Sequence, residues 1–236
     1  MPLKTLALCS GLALAAAPLA PFSRGADVLE SKWAKADVSP AADPNALFWK
    51  GVHGVSAANG PRGNAVPGHL TGIRSRWTRG YLYFLFVCPY QRLHMKPDPK
   101  TGEETNHLWE WDVAEAFIGS DFLNIHLYKE FELSPQAEWV DLDIDSTNMG
   151  NTNAWKWNSG FQVAAKIDAA AKIWYGVMKI PYKAVDSRPP KPGLKLRANF
   201  YRMQGPPPDR KGIAWQPTGK DNYHVPESFG TLVLVK

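Results

Sequence analysis

From Thr71 onward the chain reads as short runs in which apolar and polar residues alternate with a period of two, separated by clusters of Gly, Pro, Asn and Asp. Thr71–Trp77 alternates, turns at Arg79-Gly80 and resumes at Tyr81–Val87, which predicts a hairpin. Further strands are predicted at Val113–Ile118, around Leu127–Leu133, and at Val140–Asp145, where Val140, Leu142 and Ile144 alternate with Asp141, Asp143 and Asp145. The same pattern recurs in the run Phe161, Val163, Ala165, Ile167, then in Trp174–Ile180, Leu194–Tyr201 and Thr231–Val235. Beyond the first twenty residues no segment keeps a 3.6-residue period for ten positions or more, so helices are not expected to build the fold. Many short strands with proline-marked turns predict one all-β domain, an antiparallel β-sandwich or barrel. Pro189-Pro190-Lys191-Pro192 and Pro206–Pro208 fall between strands and mark loop tips. Residues 27–70 read as a proline- and glycine-rich segment leading into it.

The amino terminus has a different pattern. Lys4 precedes an unbroken apolar run from Leu6 to Ala20, fifteen residues long. That is short of the roughly 20 residues a membrane-spanning helix needs and matches the core of a secretory signal. The chain is therefore divided into a signal peptide at 1–25 and a domain at 26–236. A secreted or periplasmic, soluble, monomeric product is expected, with no membrane association after cleavage.

The net charge of +5 falls to about +3 once Lys4 and Arg24 leave with the leader. Arg74, Arg76 and Arg79 lie close together, but no basic block or nucleic-acid motif accompanies them, and they read as a solvated strand face rather than a nucleic-acid partner site. An apolar share of 44% excludes a disordered chain, and two Cys exclude a disulfide framework. Removal of Cys9 leaves Cys88 alone in an apolar strand, where an inert buried thiol is expected. The composition feature that these readings leave unexplained is the count of ten Trp.

No nucleophile elbow, zinc-protease helix or phosphate loop is present. Glu110, Asp112 and Glu115 cluster in sequence and raise the possibility of paired-carboxylate glycoside chemistry, which depends on a separation in space that spacing does not supply. Asp141-x-Asp143-x-Asp145 places its carboxylates about 7 Å apart along one strand face, too spread for one ion, and reads as a solvated acidic face. Trp109-Glu-Trp-Asp112 and Trp155-Lys-Trp-Asn158 are more informative, because in an extended segment each puts two indoles on one face beside polar groups. A sugar ring presents flat C–H faces and a rim of hydroxyls, so its site wants aromatic platforms with carboxylates, amides and Arg around their edges. Core packing accounts for the same Trp residues equally well on these grounds.

Asn106-His-Leu-Trp-Glu-Trp-Asp-Val-Ala-Glu-Ala-Phe-Ile118 resembles the Trp-x-x-Asp-x-x-Glu-x-Phe segment of family 9 carbohydrate-binding modules. Gly80–Phe84, Tyr128–Pro135, Trp174–Tyr182, Gly193–Arg202, Trp215–Thr218 and Tyr223–Leu232 resemble further segments of that family in the same order, so the similarity spans about residues 45–236. The resemblance implies a DOMON-like, jelly-roll β-sandwich that binds sugars without catalytic residues and commonly accompanies glycoside hydrolases in polysaccharide catabolism.

In that family two Trp rings clamp a terminal sugar. The first corresponds to Trp109 and the second to Tyr223, while an in-plane Arg corresponds to Glu132. The carbohydrate site implied is Trp109 and Tyr223 as platforms, with Glu110, Glu132, Asn199, Arg202 and Asn222 as hydrogen-bonding partners. Trp111 is either a third wall or core. The expected partner is a mono- or oligosaccharide, or a polysaccharide chain end. No cofactor is expected, although some members carry structural calcium, whose ligands have no match here. Two alternatives stand beside this reading: a glycoside-active enzyme using Glu110, Glu115 and Glu132, and a haem- or redox-binding DOMON-type domain.

Overall fold

In the computed structural model the described residues are 22–23 and 25–236; the predicted apolar leader Leu6–Ala20 lies outside them. Thirteen strands follow in order: β1 (Phe22–Ser23), β2 (Val28–Trp33), β3 (Gly54–Ala57), β4 (Thr71–Trp77), β5 (Tyr81–Pro89), β6 (Val113–Gly119), β7 (Leu127–Leu133), β8 (Trp139–Asp145), β9 (Gln162–Asp168), β10 (Ile173–Pro181), β11 (Lys195–Gln204), β12 (Lys211–Ala214) and β13 (Gly230–Val235). One short α-helix, α1 (Tyr182–Val185), and four 3-10 turns complete the described secondary structure.

The strands join in the order β8-β7-β6-β11-β13-β2-β4-β5-β10-β9, with β3 beside β4 and β12 beside β11. The two halves of this path fold over one another as the layers of an all-β sandwich. Their inner faces meet in the main core, where Ala116, Phe131 and Phe200 oppose Phe84, Trp174 and Met178. Phe84 and Phe200 approach to 5.2 Å between ring centroids across this interface. The alternation read from the sequence is the inner-face register of most strands, but on β8 the apolar Val140, Leu142 and Ile144 join the outer-face cluster and Asp141 shares the face of Phe131.

Most pairings are antiparallel, but β2 is not. It runs parallel to both β13 and β4 and stitches the two layers into one continuous sheet. Both β2 and β3 lie inside the segment 27–70, which reads from the sequence only as a proline- and glycine-rich lead-in. β1 lies within the predicted signal region and pairs with β3.

Alternation alone also misplaces several polar residues, because loops cover the outer faces of both layers. On the β4–β5–β10 layer, Trp49, Tyr83, Leu85, Val87 and Val177 form a second apolar cluster beneath the leading segment. Arg74, expected to face solvent, is buried, and its guanidinium donates to the Pro44 carbonyl at 3.3 Å. Arg76 donates to the carbonyls of Trp33 and Lys50. The acidic face of β8 is likewise not uniformly solvated: Asp141 is fully buried and accepts from the Ser159 amide at 2.7 Å. Asp143 is exposed and pairs with Lys129. Cys88 is buried in the main core, and burial pushes its thiol up to about 12. Among the described residues no helix is long and apolar enough to cross a membrane.

Candidate binding site

The outer face of the β8–β7–β6–β11 layer carries its own apolar cluster, which includes Phe117, Tyr128, Leu142, Ile144 and Tyr201. Here the covering loops leave a cavity of about 480 Å3 instead of closing the surface, within the size range of small-ligand sites. A larger hollow of about 830 Å3 lies against the proline-rich loop near Phe122 and Lys191, but none of its lining residues is a carboxylate and its one aromatic is Phe122. The site is therefore sought in the first cavity, where aromatic faces and polar groups converge.

One wall is set by a 3-10 turn at Leu108–Glu110, entered through His107 in a left-handed conformation (φ 58°). Leu108 is buried as the anchor of this turn, which leaves Trp109 half-exposed toward the cavity. Beneath it, Asp112 is fully buried and accepts from the Gly205 amide at 2.6 Å. The Arg210 guanidinium ties the turn down from the side, donating to the carbonyls of Trp109 and Trp111 at 2.7 and 2.6 Å. A second 3-10 turn, Thr152–Lys156, is capped by the Asn151 side chain, which accepts from the Asn153 amide. It brings Trp155 to 5.5 Å from Trp109, and His107 packs on both indoles. The two Trp-x-Trp segments therefore contribute one indole each. They are turns rather than extended segments, so neither pair shares a face as expected: Trp111 instead stacks on His94 at 4.6 Å, and Trp157 packs toward the core against Phe131.

The other aromatic group comes from the loop before β13. Tyr223 packs edge-on against Tyr201 at 5.1 Å, and the Tyr201 hydroxyl donates to the Tyr223 carbonyl at 3.0 Å. Gly212 on β12 lies directly beside the Tyr223 hydroxyl, and a side chain there would overlap it. Asn222 and His224 also line the cavity, with the Asn222 side chain accepting from the His224 amide. The His224 ring is 2.8 Å from the Tyr128 hydroxyl, and burial pushes its pKa down to about 4, so it is neutral at pH 7.

The floor is acidic. Glu115 on β6 and Glu132 on β7 are cross-strand partners, and Glu130 shares the Glu132 face two residues away. Glu115 and Glu130 line the cavity, each only 4% exposed, while Glu132 is 0% exposed and its carboxyl oxygens have no hydrogen-bond partner other than the neighbouring Glu130 carboxyl. Burial is the main cause that raises all three carboxyls, with mutual repulsion adding at Glu115 and Glu132; Glu130 is pushed up to about 7.

Of the residues singled out from the sequence, Trp109, Tyr223, Asn222 and Glu115 meet at this cavity, and Glu132 lies in its floor cluster. The others fall elsewhere. Glu110 is exposed beside His107, outside the cavity lining. Asn199 is fully buried, bonding Tyr201 and Gln216. Arg202 faces the main core, where it donates to the Pro89 carbonyl at 2.7 Å and lies 5.9 Å from the Trp174 ring. On β11, residues 199, 201 and 203 share the site face and Arg202 the opposite one, so a one-residue step decides between site and core. Trp155 and Glu130 join the site through tertiary contacts; the second Trp-x-Trp segment was the sequence signal for the first of them. Among the described residues no three His, Cys, Asp or Glu side chains are arranged to hold a metal ion.

Two solved structures of a family 9 carbohydrate-binding module from Caldicellulosiruptor kristjanssonii superpose on this chain. The complex with cellotriose matches with a TM-score of 0.63 at 13% identity over 88% of this chain and 93% of that one. The chain has a family 9-like fold. The glucose complex of the Caldicellulosiruptor module agrees, with a TM-score of 0.60 at 14% identity, covering 88% and 95% of the two chains. A Bacteroides uniformis protein classed as carbohydrate-binding also superposes on this chain, with a TM-score of 0.68 at 15% identity over 88% of this chain and 98% of its own. By sequence, an "Extracellular protein" of the fungus Arthroderma benhamiae is 24% identical over 154 residues, 60% of this chain and 68% of that protein. No protein-family model matches the chain.

Proposed function

We propose that this chain is a secreted, non-catalytic carbohydrate-binding domain that holds a sugar ring in the cavity between the Trp109–Trp155 group and the Tyr223 group, serving polysaccharide recognition or carbohydrate catabolism. The observation that carries this reading is the convergence of Trp109 and Tyr223, 114 positions apart in the chain, on one cavity with carboxyl and amide groups between them. Aromatic faces take the C–H faces of a pyranose, and Asn222 with the floor carboxyls takes its hydroxyls. The sugars held by the Caldicellulosiruptor module support the ligand class, and the extracellular fungal relative supports export. Titration calorimetry against glucose, cellobiose and longer oligosaccharides tests it. Binding is expected, and Trp109→Ala is expected to weaken it by about 1–3 kcal/mol, roughly 5- to 150-fold. Absence of binding by any sugar at millimolar concentration, or equal binding by the variant, would overturn the reading. Incubation with polysaccharides is expected to release no reducing sugar.

A further inference from the structure

The charge balance of the cavity is one-sided. Its lining includes Glu115, Glu130 and Asp221 and no Lys or Arg. Arg210 is the cation that approaches Glu115, yet its guanidinium N–H groups are given to the carbonyls of Trp109, Trp111 and Gly205. Asp221 at the rim already pairs with Arg62. The floor carboxyls have no cationic partner: among the described residues no Lys or Arg hydrogen-bonds Glu115, Glu130 or Glu132, and the buried Glu132 oxygens have no donor other than the neighbouring Glu130 carboxyl.

Three buried carboxyls cost stability that apolar residues in the same places would not. A ligand that brings positive charge offsets that cost at the moment of binding. The carboxyls are not arranged to hold a metal ion, whereas an ammonium group needs no fixed coordination geometry and donates three hydrogen bonds. The walls suit the same charge, because the faces of Trp109, Trp155 and Tyr223 attract a cation through the ring quadrupole.

We propose that the cavity selects a sugar carrying a protonated primary amine, an amino sugar of the glucosamine type, with its ring on Trp109 and Tyr223 and its ammonium on Glu115 and Glu130 over Glu132. The proposal rests on the carbohydrate reading above and names the ligand class within it. Other ionisable groups facing the floor are Tyr128, Tyr201 and Tyr223, all raised by burial, and His224, which is neutral. None of these supplies the missing charge at pH 7. Because an ammonium favours the ionised carboxylates, its binding draws protons off the floor.

The test is calorimetry of the full chain at pH 7 with glucosamine and its β-1,4-linked dimer, compared with glucose, cellobiose and N-acetylglucosamine. The amine-bearing sugars are expected to bind about tenfold or more tightly than the neutral ones, the ratio that one charge-assisted hydrogen bond supplies. Their affinity should fall as NaCl rises from about 20 to about 500 mM. Their binding enthalpy should depend on the buffer, reporting proton release. Glu115→Gln and Glu130→Gln should each reduce the amine-to-neutral ratio; if either variant fails to fold, the salt and buffer dependence of the wild type decide. Equal affinity for glucose and glucosamine, with binding lost in Trp109→Ala, overturns the amine selectivity and leaves the carbohydrate reading standing. No binding by any of these sugars at about 10 mM overturns both.

Discussion

Replacing Glu130 by Gln probes the acidic floor without changing its shape. Burial lifts the Glu130 carboxyl from 4.5 to about 7. Below 4.5 the carboxyl is protonated in the folded and unfolded chain alike, and its full contribution is present. Between 4.5 and about 7 the folded chain holds a proton that the unfolded chain has released, so stability falls as pH rises. At about 1.4 kcal/mol per pH unit this amounts to about 3 kcal/mol. His224 works in the opposite direction: held down to about 4 from 6.5, it adds stability as pH rises through nearly the same interval. The lowered carboxyls of Asp121, Asp145, Asp186 and Asp221 act below 3.8, outside this window. The wild-type curve alone is therefore nearly flat in these contributions, and the informative quantity is the difference between variant and wild type. Relative to wild type, Glu130→Gln should gain about 3 kcal/mol between about pH 4.5 and about pH 7.5. Relief of repulsion on Glu132, which Glu130 raises, adds in the same direction, as it does at Glu115. Urea unfolding followed by Trp fluorescence at four pH values measures this. Curves that stay parallel within about 1 kcal/mol would refute the assignment of a buried, protonated floor.

Three further outcomes follow from the packing. Gly212→Ala places a methyl against the Tyr223 hydroxyl and should swing that ring off the cavity, weakening sugar binding about fivefold, near 1 kcal/mol, with little change in the circular dichroism spectrum; unchanged affinity would show that Tyr223 is not a platform. Cys88, with its thiol raised to about 12, should resist a thiol reagent at pH 8 in the native protein and react fully in denaturant, and rapid native labelling would contradict its burial. Arg202→Ala should cost about 3 kcal/mol by removing a buried donor set while leaving sugar affinity within about twofold; lost affinity at unchanged stability would instead place Arg202 in the site.

The sequence by itself determined the strands from Thr71 onward except β12, and the all-β class, because a half-buried strand must alternate and tight turns need Gly, Pro, Asn or Asp. Its resemblance to family 9 modules also pointed to Trp109 and Tyr223, two of the aromatic residues that line one cavity. It did not reveal β2, whose parallel pairs with β13 and β4 join residues about 200 and 44 positions apart and leave no local turn signal. Nor could alternation say which polar face the loops would cover. That choice buries Arg74 and Asp141, leaves Asp143 in solvent, and gathers Glu115, Glu130 and Glu132 under the cavity. The pairing of Trp109 with Trp155 was equally invisible, since two 3-10 turns aim those indoles together and send Trp111 and Trp157 elsewhere. Periodicity reports which side of a strand is apolar; only the tertiary structure decides what lies over the other side, and here that is the difference between a covered surface and a binding site.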